Sequence, residues 1–297
     1  MLGKGIRECR GIGGAHGVRH WRVSLADGRT LFAKLAAPGA GEAGFEAASF
    51  EAASFKAASF KAASFDAEAR GLRWLAEAGA VPVPEVAGWD EAGLAIAWVP
   101  EEVSGARAAE QFGRDLARLH ASGAEAFGAP WRGVIASLPL GNDAGHSWPE
   151  WYAEHRLLPY ARRALDSGRL DQADVRLVET VAERVADLAG PAEPPSRIHG
   201  DCWSGNVLWS GGRGWLIDPA AHGGHRETDL AMLALFGAPF GDRILASYQE
   251  VTPLAAGWRD RVPLHQLHPL LVHVCLFGAS YRAAAVSAAR AALASVR

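Results

Sequence analysis

Residues 199–206 read HGDCWSGN, and twelve positions beyond Asn206 stands Asp218 in LIDPAA (216–221). Asp201 is a carboxylate able to accept a hydroxyl proton, Asn206 an amide whose oxygen can ligate a hard cation, and Asp218 a second carboxylate suited to the same ion. Between them VLW (207–209), the turn SGGRG and WLID (215–218) have the composition of a β-hairpin. A hairpin returns Asp218 towards Asn206. Both oxygen ligands then face one point, with Asp201 just ahead of them on the loop.

That set of groups is what phosphoryl transfer requires. The transferring group spreads negative charge over its oxygens and must be held in line with its acceptor, so positioning and cation clamps do most of the work. Four residues separate Asp201 from Asn206, the spacing of the protein-kinase catalytic loop. Loops favour Asp and Gly for turn chemistry alone, which is the plainer explanation that this spacing argues against.

A kinase must also hold nucleotide phosphates. WRVSL (21–25), the turn ADGR and TLFAKL (30–35) form a predicted hairpin with an Asp-Gly turn. On its second strand Phe32 and Lys34 share one face. The chain uses four lysines against 26 arginines, so Lys34 is not filler; its compact ammonium suits α and β phosphates and needs an orienting carboxylate. Upstream, GIGGAHGVRH (11–20) brings Gly11, Gly13 and Gly14 together, whose backbone N–H groups can cover phosphates or simply make a turn between strands.

FDAEARGLRWLAEAGA (65–80) has helical periodicity, and Glu68 on it is the expected partner of Lys34. Before it, residues 46–65 repeat a five-residue unit four times. A pentad advances about 140° per unit on a helix, so its phenylalanines spiral and form no single apolar stripe. The block is therefore expected to be an insertion without chemistry, with an amphipathic membrane-binding or partner-binding segment as the competing idea. Glu46 and Glu51 are alternative partners for Lys34.

At 297 residues and 49% hydrophobic content the chain suits two lobes around ample cores. A net charge of −3 gives no electrostatic footprint for nucleic acid. No transmembrane stretch and no signal peptide are expected, and Cys9, Cys202 and Cys275 lack the spacing of a disulfide framework or zinc site. A reducing cytoplasm is the expected compartment. Apolar filling rather than redox sensing is the expected role of Cys9 and Cys202.

The strand LAIAWV, ending at Pro100, is the expected hinge, with the backbone of Ala97, Trp98 and Val99 facing adenine. Helices are expected over 106–122, 148–166, 171–189, 227–237, 241–250 and 267–293. Strands followed by helices indicate an α+β chain, with a nucleotide-binding lobe over 1–101 and a catalytic and substrate lobe over 102–297. The long segment between the first two of these helices carries Trp131 and leads into Trp148 and Trp151. Such tryptophans can stack on a sugar or fill a core. Five acidic residues balance five arginines over 124–170, which disfavours a polycationic substrate.

Taken together, HGDCWSGN, LIDPAAHGGHRETDLAMLALFG (216–237), YQ (248–249) and PLHQLHPLLVHVCLFGASY (263–281) resemble the fructosamine kinase (ketosamine-3-kinase) family over most of the chain. HGDxxxxN alone is shared with aminoglycoside phosphotransferases, choline kinases and homoserine kinases. Trp-Ser-Gly within the loop and GxRETDLAM are more specific. The resemblance implies a bilobal protein-kinase-like fold with a small β-sheet lobe and a larger helical one. It also implies ATP- and Mg²⁺-dependent phosphorylation of the 3-hydroxyl of ketosamines, after which the amine is shed.

Carried over by the resemblance, Asp201 is the catalytic base, Asn206 and Asp218 are magnesium ligands, Lys34 is the phosphate-contacting lysine and Glu68 its partner. His199 braces the loop and Asp229 bonds its backbone, with Arg226 and Glu227 expected to pair nearby. Trp203, Trp148, Trp151 and Arg156 are the expected substrate contacts. Cys202, the pentad block and RGVIAS (132–137) depart from the family pattern, and the last of these touches substrate contacts. A kinase for an aminoglycoside, a choline-like amine or another sugar, and an ATP-binding pseudoenzyme, are the alternatives.

Overall fold

A computed structural model describes residues 5–15, 17–37 and 47–295, with side chains in the first long helix described from Phe60 onward. Strands β1 (Ile6–Ala15), β2 (Val18–Leu25) and β3 (Thr30–Ala36) precede helix α1 (Ala47–Glu77), after which β4 (Val86–Asp90) and β5 (Gly93–Ala97) complete one antiparallel sheet. Its order is β1-β2-β3-β5-β4.

Alternation along β3 sends Leu31 and Ala33 to one face, where they bury with Val23 and Ala95. Phe32 goes to the other face and packs with Phe65, Ala69, Leu72, Leu94 and Ile96. Lys34, two residues on, shares the face of Phe32 as expected. Residues 65, 69 and 72 recur at helical spacing, so α1 lies across this side of the sheet.

Among the described residues the pentad block is helical and continuous with the helix that carries Glu68. Helix α1 runs without a break from Ala47 through the repeat to Glu77, and Phe65, the last phenylalanine of the repeat, is 2% exposed in the core. The spiral of a five-residue period still holds. It turns Phe65 onto the sheet, in register with Glu68 three residues later. Glu46, and the side chains of Phe45, Phe50, Glu51 and Phe55, lie outside the described residues.

The remaining elements are helical with short hairpins. Helix α2 (Ala106–Ala121) is followed by β6 (Gly133–Ile135) and β7 (Leu138–Leu140). Then come α3 (Trp148–Tyr152), a π-helical turn (Ala153–Leu157), α4 (Leu158–Asp166), α5 (Gln172–Glu183) and α6 (Val185–Leu188). Strand β8 (Ser196–Ile198), the hairpin β9 (Val207–Ser210) and β10 (Arg213–Leu216), and β11 (His222–Gly224) lead to α7 (Glu227–Phe236) and α8 (Gly241–Val251). Helix α9 (Trp258–Phe277), a 3-10 turn (Gly278–Tyr281) and α10 (Arg282–Ala294) end the chain.

Helix α9 starts nine residues earlier than expected, although Pro263 and Pro269 lie inside it. Contrary to the sequence expectation, the helical run Trp258–Ala294 contains an 18-residue stretch apolar enough to cross a membrane, with a mean hydropathy of 1.4. Leu264, Leu267, Leu270 and Leu271 of that run are buried against Trp148, Tyr152 and Tyr160, forming the core of the helical part.

Arg226 and Glu227 do not pair with each other. Arg226 holds Glu193 through two bonds of 2.7 Å, and Glu227 is held by Arg261 at 2.6 and 3.0 Å. Adjacent helix-start residues point to different sides, so each finds its partner elsewhere. Ligand-type atoms of His225, Glu227 and His265 lie within 4.8 Å of one another, but Arg261 occupies both Glu227 oxygens.

Candidate active site

The loop between β8 and β9 carries HGDCWSGN. Gly200 sits at φ +79°, and a side chain there would collide with the Ala220 carbonyl. The turn thus requires glycine, directly before Asp201.

Asp229 fixes this loop. It accepts the backbone N–H of His199 at 2.7 Å and of Gly200 at 2.9 Å, and His120 Nε2 lies 3.2 Å away. Tyr248 closes the chain at 2.8 Å from His120 Nδ1. Burial opposes ionisation of Asp229, yet the His120 contact and the loop N–H donors hold its carboxyl below the usual range. His199 is fully buried: Nε2 bonds the Ile217 carbonyl at 2.8 Å and Nδ1 accepts from Asp201 N at 3.2 Å. One imidazole therefore ties the start of the loop to the residue before Asp218.

Asn206 donates its amide twice to Asp201, to the main-chain oxygen at 2.9 Å and to Oδ2 at 3.0 Å. Its carbonyl oxygen is left as the ligand-type atom. The β9–β10 hairpin forms as its sequence suggests, pairing Val207 with Leu216. Ile217 N then bonds the Asn206 main-chain oxygen at 3.0 Å, so Asp218 begins beside Asn206. Asp218 itself has φ +52°, an uncommon region for a non-glycine residue and one associated with functional positions. Burial, only partly countered by the Asn206 bond, pushes the Asp201 carboxyl up to about 7.

Lys34 reaches across from the sheet. Its ammonium lies 2.9 and 2.8 Å from the two Glu68 oxygens and 2.6 Å from Asp218 Oδ1. Helix α1 places Glu68 by close approach: a Cβ at Gly71 would stand 3.2 Å from Ala221 and 3.3 Å from Pro219. Burial opposes the charge on Lys34, but the two carboxylates outweigh it and keep the amine protonated. Burial raises Glu68, offset in part by Lys34. At Asp218 the same ammonium overcomes burial and lowers the carboxyl.

Gly11, Gly13 and Gly14 lie in β1, with a register shift between Gly11 and Gly13. Gly13 pairs with His20, and His20 pairs with Lys34. Two strand spacings, about 10 Å, therefore separate the backbone at Gly13 from that at Lys34. Lys61, from the end of the repeat, stands against Gly17 in the same hairpin's turn.

Of the expected substrate contacts, Trp148, Trp151 and Arg156 are buried: Trp148 stacks on Tyr152 at 4.6 Å, and Arg156 lies over Trp151 at 4.1 Å. The π-helical turn rotates Arg156 inward. At the hinge, the N–H groups of Ala97 and Trp98 are committed to Glu85 and Thr30 carbonyls at 2.8 and 3.0 Å. Among the described residues the Val99 N–H meets no backbone acceptor. Trp203 differs from the other tryptophans in being 38% exposed; its ring covers Gly205, where any side chain would clash. Phe236 and Phe277, 37% and 55% exposed, are surface aromatics near it that went unremarked in the sequence because apolar helix residues read as core.

Residues 54–295 match the family model described as fructosamine kinase. A protein assigned as a ketoamine kinase in Thermus thermophilus is 36% identical over 218 residues, 72% of this chain and 77% of that one. One from Enterococcus faecium is 33% identical over 73% of this chain and 78% of its own length. Among solved structures, one assigned as a fructosamine-3-kinase from Thermobifida fusca superposes with a TM-score of 0.87 at 52% identity, covering 99% of this chain and 96% of that one. The ADP-bound aminoglycoside phosphotransferase APH(2'')-Ib shares the kinase-like fold at a TM-score of 0.63 and 14% identity. With the catalytic-loop arrangement above, these matches show that the chain belongs to the fructosamine kinase family and is a phosphotransferase with a hydroxyl group as acceptor.

Proposed function

We propose that this protein is a ketosamine kinase that transfers the terminal phosphoryl group of ATP, with Mg²⁺, to the sugar 3-hydroxyl of fructosamine-type substrates. The observation that carries this is the bridge from Lys34 to Glu68 and Asp218, set beside the bond from Asn206 to Asp201. A phosphate-binding lysine, its orienting carboxylate, two hard-oxygen ligands and a base are then neighbours.

The donor set suits the ion: a carboxylate and an amide oxygen are hard ligands, and both Asn206 amide hydrogens are already used on Asp201. When bound, Mg²⁺ would supply charge neutralisation at the phosphate oxygens. Lys34 holds the α and β phosphates, with Glu68 fixing its direction. The glycine-rich β1–β2 hairpin covers them with backbone N–H groups, and the Val99 N–H is the adenine donor. Asp201 Oδ accepts the substrate hydroxyl proton, while Asn206 and the Asp229–loop bonds hold that carboxylate in place. Residues 1–101 act as the nucleotide lobe and 102–297 as the catalytic and substrate lobe. Three free thiols suit a cytoplasmic setting.

The deciding experiment is ATP consumption measured against a fructosyl amine, free fructose, an aminoglycoside and choline. Turnover with the fructosyl amine, at least tenfold above the others in kcat/KM, is expected. Preference for another acceptor would replace the substrate, and ATP binding without any turnover would leave a pseudoenzyme.

A further inference from the structure

Five rings make a continuous ledge that begins inside the catalytic loop. Trp203, two residues past Asp201, meets Phe236 edge-on at 6.1 Å, and Phe236 meets His273 at 5.0 Å. His273 in turn meets Phe277 at 5.3 Å and Tyr281 at 4.8 Å. Trp203, Phe236 and Phe277 are each more than a third exposed, and contiguous apolar surface of this kind marks a binding site more often than a lone exposed ring does.

The ledge is built by the same helices that fix the site. Helix α7 anchors the catalytic loop through Asp229 near its first turn and ends at Phe236. His273, Phe277 and Tyr281 follow one another at four-residue intervals along the end of α9 and the turn beyond it, one stripe of a helical surface. A sugar ring is covered by one indole face, so Trp203 suffices for it. Four further rings lie beyond. On a ketosamine, what lies beyond the sugar is a secondary ammonium and the group carried on its nitrogen.

Resting on the ketosamine reading above, we propose that Phe236, His273, Phe277 and Tyr281 bind the group borne on the amine nitrogen, selecting ketosamines of amines with an aromatic or branched aliphatic side chain. The ammonium sits against the Trp203 face by cation–π attraction, and the apolar group follows the ledge away from Asp201. No carboxylate or guanidinium belongs to these rings, so a second charge on the amine finds no partner among them.

Steady-state kinetics with two synthetic substrates, fructosyl-ethylamine and fructosyl-phenylethylamine, test this on the full chain. The wild type is expected to favour the phenylethyl compound by about tenfold in kcat/KM. Phe277→Ala should raise KM for that compound alone and bring the two near parity, with kcat unchanged. Equal constants in the wild type, or a loss shared by both substrates, would overturn the ledge. So would a concentration-dependent dimer that Phe277→Ala dissociates, since the ledge would then be a self-interface. Calorimetric binding of both compounds without nucleotide separates the two ideas. If neither compound is phosphorylated the ketosamine reading fails. The ledge then stands only if the phenylethyl compound binds about tenfold tighter and Phe277→Ala removes that difference.

Discussion

The ammonium of Lys34 lies 2.6 Å from Oδ1 of Asp218, a carboxylate 184 positions further along the chain. Glu68 takes the same ammonium at 2.8 and 2.9 Å. One cation thus serves two carboxyl groups, and it holds the Asp218 carboxyl below the usual range, ionised as a metal ligand must be. That contact links the nucleotide-holding strand to the proposed metal ligand.

Removing the cation leaves two carboxylates facing each other in a confined space. Lys34→Met is expected to lower kcat/KM for ATP by about a hundredfold or more and stability at pH 8 by about 1–3 kcal/mol. The stability loss should shrink at pH 5, where a carboxyl can take up a proton. Adding Glu68→Gln should recover stability without activity, as read by urea unfolding alongside ATP turnover.

Asp201 must be ionised to accept a proton, and burial raises its carboxyl to about 7. The rate should therefore climb with pH and level off above about 7. A carboxyl raised on folding favours the folded state below the ordinary carboxyl range and loses that contribution as pH rises through about 7. Asp201→Asn should accordingly abolish phosphorylation, retain ATP binding, and raise Tm relative to wild type more at pH 8 than at pH 4. Equal Tm differences at both values would count against a buried, raised Asp201.

Much of this site was legible because its chemistry occupies one loop and one hairpin. The interval from Asp201 to Asn206 and on to Asp218 is set by coordination and not by core packing, so it stands out against apolar periodicity. Lys34 and Glu68 were legible for a different reason: strand alternation and the scarcity of lysine singled out the first, and helical phase the second. The burial of Trp148, Trp151 and Arg156 was not legible, because an indole that stacks on a sugar and one that stacks on Tyr152 look alike in sequence. Only the π-helical turn, with no clear sequence signature, sends Arg156 inward. The burial of Phe65 was not legible either, because a five-residue period spirals and does not show which phenylalanine meets the sheet.

Asp229 should behave as a positioning residue. Asp229→Asn replaces one acceptor with a donor facing the His199 and Gly200 N–H groups, and is expected to cost about 2–4 kcal/mol. The kcat should fall about a hundredfold with KM for ATP nearly unchanged. Tyr248→Phe removes the far partner of His120 and the hydroxyl beside Arg226, and should cost about 1 kcal/mol. Comparable losses in the two variants would contradict the order of this chain of bonds.

Phe65→Ala should destabilise by about 3–5 kcal/mol, the usual range for emptying a buried phenylalanine site. Deleting 46–65 should be far milder, because Phe45 then directly precedes Asp66 and takes the place of Phe65. Thermal unfolding of both variants checks this; a deletion as damaging as Phe65→Ala would show that the repeat contributes more than its last phenylalanine.

The central claim is that Asn206 and Asp218 hold one divalent ion beside the nucleotide and Asp201. Anomalous diffraction from crystals grown with Mn²⁺ and a non-hydrolysable ATP analogue tests it most directly. The expected result is a peak about 2.2 Å from the Asn206 carbonyl oxygen and an Asp218 carboxylate oxygen. Manganese bound to the analogue with neither side chain in its coordination sphere would contradict the account.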